Sequence, residues 1–124
     1  MAAGYTGLTK VFTREVADKL FNLGELFKSS INQICGKYKV KVQSTGVGSI
    51  LGLHVKKDNI SSPPKYSDFE LNKLKLIHLE MSLKGFLFAQ RGYLTLNVAM
   101  GQEDLNKFLE AFESVLKEHK DILA

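Results

Sequence analysis

Cysteine is almost missing from this chain of 124 residues: Cys35 stands alone, so no internal disulfide can form, as in proteins of a reducing compartment. Its helical spacing from neighbouring apolar residues marks it as a small packing residue rather than a nucleophile. Long apolar runs are missing too. The longest, Ile50-Leu51-Gly52-Leu53 and Gly85-Phe86-Leu87-Phe88-Ala89, fall far short of the roughly 20 residues that cross a bilayer, which excludes a transmembrane helix. Met1-Ala2-Ala3-Gly4-Tyr5 lacks the basic start and apolar stretch of a secretory signal, so the expected location is cytoplasmic. Proline occurs only as Pro63-Pro64, and arginine only as Arg14 and Arg91.

What is present is the make-up of one globular domain over residues 1–124, with 44% hydrophobic and 24% charged residues. The net charge of +4 sets fifteen lysines and two arginines against thirteen acids spread along the chain, a balance that mainly aids solubility. One run, Lys37-Tyr38-Lys39-Val40-Lys41, has two readings. Its alternation suits the solvent face of an edge strand, and its lysines around an aromatic suit a weak nucleic-acid patch.

Val16, Leu20, Leu23, Phe27, Ile31 and Ile34 recur at steps of three and four, which predicts one long helix over about 14–36, N-capped by Thr13 and stopped by Gly36. A short helical segment over 3–11 precedes it. The period then changes to two through Tyr38, Val40 and Val42, predicting a strand, a glycine bend at Thr45-Gly46-Val47-Gly48 and a second strand over 49–55. Polar residues and both prolines make 56–67 a loop. Ser67 or Asp68 opens a helix with Leu71, Leu74, Ile77, His78 and Met81 on one face, ended by Gly85. Strands over 86–88 and 93–97 follow, joined at Gln90-Arg91-Gly92, and Gly101 begins a last helix with Leu105, Phe108, Leu109, Phe112, Val115 and Leu116 inward. The order predicts an α+β fold: a small antiparallel sheet with helices packed on one face, its sandwich spanning about 38–124.

Little in this pattern carries chemistry. His54, His78 and His119 are far apart and lack a cysteine pair, so no metal site is predicted. Ser49 and Cys35 have no nucleophile motif around them, and Thr45-Gly46-Val47-Gly48-Ser49 lacks the Gly-Lys-Ser/Thr ending of a phosphate loop. Arg91 differs. In a chain that otherwise uses lysine, an arginine beside glycine between two apolar segments offers a planar fork suited to a carboxylate, the alternative being a solvated turn residue.

The order of segments resembles a known family. Met1-Ala2-Ala3-Gly4, Leu8-Thr9-Lys10-Val11-Phe12-Thr13 and Leu20-Phe21-Asn22-Leu23-Gly24-Glu25 look like the start of the carboxyl-terminal domain of fold-type I, class III pyridoxal-phosphate aminotransferases, in the branch of glutamate-1-semialdehyde aminomutases and β-transaminases. Val47-Gly48-Ser49-Ile50-Leu51 resembles a strand of that family. Gln90-Arg91-Gly92-Tyr93-Leu94-Thr95-Leu96-Asn97 with Glu103-Asp104-Leu105 resembles a later strand and helix start. Asn97 departs from the usual serine there, and Gly101 from a capping serine or threonine.

The resemblance implies a parent enzyme, a homodimer, that binds pyridoxal phosphate chiefly through a large domain, takes an amino-acid or amine substrate with a keto acid, and uses this small domain to cover the site. It implies a substrate-binding role for Arg91 and no catalytic or cofactor-binding residue in this chain. The Schiff-base lysine, the acid facing the pyridinium nitrogen and the phosphate site of the family lie upstream of the segment that Met1 begins. The expectation is therefore a fragment that neither binds the cofactor nor transaminates alone. A non-catalytic binding or regulatory module is the alternative.

Overall fold

The computed structural model describes residues 1–124. In chain order the elements are α1 (Ala2–Thr6), running on into a π-helical turn over Gly7–Val11, then α2 (Arg14–Tyr38), β1 (Gln43–Val47), β2 (Ile50–His54), α3 (Asp68–Leu83), β3 (Tyr93–Thr95), α4 (Gln102–Glu118) and α5 (Lys120–Leu123). The three strands form one antiparallel sheet in the order β1-β2-β3. This is the α+β arrangement that the sequence predicts.

The long helices begin where capping chemistry dictates. Thr13 Oγ1 accepts from the Val16 amide, satisfying one of the orphan donors of the first turn of α2. At α3, Ser67 Oγ accepts from the Glu70 amide while Glu70 Oε2 accepts from the Ser67 amide, a reciprocal box. At α4, where Gly101 has no side chain to offer, the Asp104 carboxylate accepts from the Gly101 amide.

Leu51, Leu53 and Leu94 point from the sheet toward the helices, and Phe27, Ile31, Leu74, Ile77, Met81, Phe112 and Leu116 meet them there. Ile50, Gly52, His54, Tyr93 and Thr95 alternate onto the opposite face. Phe108 anchors one end of the core, edge-on to Phe27 at 5.2 Å and to Phe86 at 5.4 Å, and stacked near Phe112. α2 also grips β1 with polar groups: Asn32 Oδ1 accepts from the Ser44 amide, its Nδ2 donates to the Ser44 carbonyl, and Lys28 Nζ donates to the Gly46 carbonyl.

Four expectations are corrected. Gly36 does not stop α2, which continues to Tyr38 and closes on Lys39 in the left-handed conformation (φ 56°), with the Val40 amide bonded to the Cys35 carbonyl. Residues 38–42 are not a strand. Val40 and Val42 are buried because this connection dives under the core, and the Lys41 amide bonds to the Leu123 carbonyl instead of to a neighbouring strand. Paired strand begins only at Gln43, and the hairpin turn is Gly48-Ser49, since Val47 faces Ile50. Finally, 86–88 form no ladder. The Phe86 amide bonds back to Met81 at the end of α3, and Phe86 and Phe88 pack on Phe108 while Leu87 is exposed.

Candidate functional site

Arg91 sits on a turn that glycine makes possible. Gly92 adopts φ 93°, and a Cβ there would lie 2.3 Å from the Leu53 carbonyl oxygen. The Leu53 amide donates to the Gly92 carbonyl at 2.7 Å and the Gly92 amide to the Ala89 carbonyl at 2.8 Å, so the turn is stitched to β2. Arg91 is exposed, with its guanidinium carbon 6.0 Å from the centre of the Tyr93 ring.

Beside it, where the outer sheet residues meet Leu71, Leu74 and Lys75 of α3, lies a cavity of about 290 Å³. Arg91 and Lys75 supply positive charge to its walls, His54, Tyr66 and Tyr93 supply rings, Pro63 and Pro64 close one side, and no carboxylate lines it. Gly52 lies among those outer sheet residues, where a Cβ would come within 3.0 Å of His54 Nε2. The His54 ring is held at both nitrogens, with Nε2 2.8 Å from Thr45 Oγ1 and Nδ1 2.8 Å from the Tyr66 hydroxyl. Burial pushes the His54 pKa down, and burial, followed by Glu70 and Tyr93, pushes the Tyr66 phenol up, so both groups are held uncharged near neutral pH. Two cations with neutral hydroxyl and imidazole groups make a site for a small anion carrying an apolar portion.

A second cavity, of about 600 Å³, opens on the other side of Tyr93. Its walls are apolar, formed by Phe27, Phe86, Phe88, Leu94 and Phe108 among others, and Asp104 is the only charged residue among them. Pyridoxal-phosphate chemistry needs a lysine amine and an acid on opposite sides of one pyridine ring. The smaller cavity has Lys75 without a carboxylate and the larger has Asp104 without a lysine, so neither set of walls fits the cofactor.

The sequence singled out Arg91 but missed its companions. His54 and Tyr66 are twelve residues apart, and a strand alternation followed by a polar loop gives no sign that the loop returns its tyrosine to the strand's outer face. The structure also brings together residues that spacing left apart: His119 Nε2 lies 3.2 Å from Glu80 Oε1, with Glu118 adjacent and held by Lys84 at 3.8 Å. His78 packs edge-on to Phe88. The lysine run is not a uniform basic face, because Lys37 Nζ and the Tyr38 hydroxyl both bond to Glu113.

Comparison with known proteins leads to one class. No family model matches the chain. The β-phenylalanine transaminase of Variovorax paradoxus is 28% identical over 123 residues, which is 99% of this chain and 28% of that protein. An uncharacterised aminotransferase of Schizosaccharomyces pombe is 30% identical over 118 residues, 94% of this chain and 26% of the relative. The crystal structure of a β-phenylalanine aminotransferase from V. paradoxus superposes with a TM-score of 0.93 at 28% identity, covering 98% of this chain and 28% of that one. The glutamate-1-semialdehyde aminomutase of Pseudomonas aeruginosa shares the fold, with a TM-score of 0.75 at 15% identity over 94% of this chain and 26% of its own. The chain is thus homologous to class III aminotransferases, and it spans only about a quarter of the length of the relatives it matches, the extent of a carboxyl-terminal domain.

Proposed function

We propose that this chain is the substrate-covering small domain of a class III, pyridoxal-phosphate-dependent aminotransferase or aminomutase, and that it is not catalytic alone. In this reading Arg91 receives a carboxylate of the amino-acid or keto-acid substrate and orients it, contributing position and not bond chemistry. The observation that carries the reading is the Arg91 cavity: a cationic, carboxylate-free recess formed by the turn that resembles the family's arginine turn. The cofactor would supply the electron sink for transamination, and it belongs in this reading to the part of a cytoplasmic, homodimeric parent that lies outside these residues.

The large apolar cavity favours a domain of a longer enzyme over a self-contained module. Phe27, Phe86, Phe88 and Phe108 bound an open recess of about 600 Å³, and Leu87 at its mouth is exposed. No helix in the chain is long and apolar enough to cross a membrane.

Two measurements test the proposal. The isolated chain, incubated with pyridoxal phosphate, is expected to give no borohydride-fixable adduct on a single lysine, and one specific adduct would refute its catalytic silence. In a full-length enzyme carrying this domain, Arg91→Ala is expected to raise KM about tenfold or more with little change in Tm, since Arg91 is exposed and loss of a charge-assisted hydrogen bond costs about 1.5–3 kcal/mol. An unchanged KM with a large drop in Tm would make Arg91 structural.

A further inference from the structure

The geometry points to Tyr66 as a second donor to the anion that Arg91 receives, its hydroxyl aimed by a relay that runs from Thr45 through His54. This rests on the Arg91 reading and goes beyond it by assigning roles to three residues that arginine alone does not require.

The relay follows from donor and acceptor accounting. A neutral imidazole has one N–H and one bare nitrogen, so the two hydroxyls bonded to His54 cannot play the same part. Thr45 lies on β1 directly across from Gly52, and its Oγ1 sits 2.8 Å from Nε2. When the Thr45 hydroxyl donates to Nε2, Nδ1–H donates to the Tyr66 oxygen at 2.8 Å, and the Tyr66 proton is left free for a third group. That arrangement is chosen when an anion enters the cavity, because His54, Tyr66 and Arg91 line the same space and an anion is an acceptor only.

The surroundings favour the uncharged, donating forms. Burial favours the neutral phenol of Tyr66 and the neutral imidazole of His54, and the cations of Lys56, 5.7 Å from the centre of the Tyr66 ring, and of Arg91, over Tyr93, further disfavour an imidazolium. Glu70, the acid whose charge acts on the Tyr66 phenol, is engaged by the Ser67 amide and hydroxyl and by Lys56. Tyr66 itself is held in place from both sides: it directly precedes the capping box that opens α3, and His54 grips its hydroxyl. The ligand class is a small carboxylate with an apolar or aromatic body, matched to the Tyr93 ring and to Pro63 and Pro64.

Benzoate binding to the 124-residue chain tests the assignment, followed by NMR with ¹⁵N-labelled histidine. Benzoate is expected to fix the His54 ring with Nδ1 protonated and Nε2 bare, a change in ring ¹⁵N shifts that a purely structural tyrosine would not produce. Tyr66→Phe is expected to weaken benzoate binding about tenfold and to abolish the His54 response, while Thr45→Val leaves binding weakened and the two tautomers mixed. If Arg91→Ala abolishes binding and Tyr66→Phe changes neither affinity nor the His54 signals, the relay is wrong and the Arg91 reading stands. If benzoate does not bind, or binds equally to Arg91→Ala, both fail. Unchanged dispersion in the spectrum of Tyr66→Phe separates lost donation from lost folding.

Discussion

Gly24 sits in the middle of α2, where glycine is ordinarily a weakness, and replacing it with alanine ought on helix propensity alone to add about 1 kcal/mol. The hairpin makes the opposite outcome the expected one. A Cβ on Gly24 would stand 1.8 Å from the Gly48 carbonyl oxygen and 2.3 Å from its carbon. Restoring ordinary contact requires the turn to retreat by about 1.5 Å. Both partners are backbone, so no side chain can swing away. The retreat also pulls at two hydrogen bonds, from the Gly48 amide to Glu25 Oε1 at 2.9 Å and from Lys28 Nζ to the Gly46 carbonyl at 2.9 Å. Overpacking of this kind costs about 1–3 kcal/mol, and the two strained bonds, both partly exposed, add about 0.5 kcal/mol each. Against the propensity gain, Gly24→Ala is expected to destabilise by about 1–3 kcal/mol and to lower Tm by several degrees. Gly36→Ala is the internal control. It lies in the same helix, where an added methyl would meet no neighbouring atom within 4 Å, and is expected to be neutral or stabilising by up to about 1 kcal/mol. Urea unfolding of both variants reads the difference. If Gly24→Ala is as stable as Gly36→Ala, the hairpin does not rest on α2 as described.

Two further outcomes follow from buried and paired groups. Burial pushes the Cys35 thiol up to about 12, so in the native chain it is expected to react with a thiol reagent at pH 8 far more slowly than in urea, and equal rates would show that its end of the core is open. Glu25, held down chiefly by Lys28, Glu70, held down chiefly by the Ser67 amide, and Glu113, held down chiefly by Lys37, all have pKa values below their ordinary 4.5. Depressed carboxylates contribute stability that is fully present above pH 4.5 and is lost as pH falls through their folded values, so urea midpoints are expected to drop below pH 4.5, after a smaller decline that begins near pH 6.5 where the unfolded chain protonates His54 and the folded chain does not. A midpoint unchanged down to pH 3 would show that these pairs do not favour the folded state.

The helices were legible in the sequence because their signals are local. Thr13 and the Ser67–Glu70 box mark starts, and the three-and-four spacing of Phe27 and Ile31, or of Phe108 and Phe112, survives into the core. The strands were less so. Gln43-Ser44-Thr45-Gly46-Val47 has no apolar alternation, since its one buried position is a serine and Val47 is exposed. Val40 and Val42 offered the alternation instead, though a left-handed Lys39 sends them into the core as a connection. In the candidate site, Arg91 was visible as a chemically unusual residue beside glycine. His54, Tyr66 and Lys75 were not, because they converge only through the fold of the 56–67 loop, which leaves no periodicity to read.

The grip of Asn32 on Ser44 has a consequence for how the chain meets other chains. A strand at the margin of a sheet shows a row of unused amides and carbonyls, an invitation to any passing strand. Here a helix side chain impersonates the missing neighbour: one carboxamide fills both the donor and the acceptor of Ser44, and an ammonium takes the carbonyl of Gly46. The margin at β1 is therefore closed to pairing unless α2 lifts away, and association of this chain is directed to its faces, where side-chain chemistry and not backbone hunger decides what is admitted.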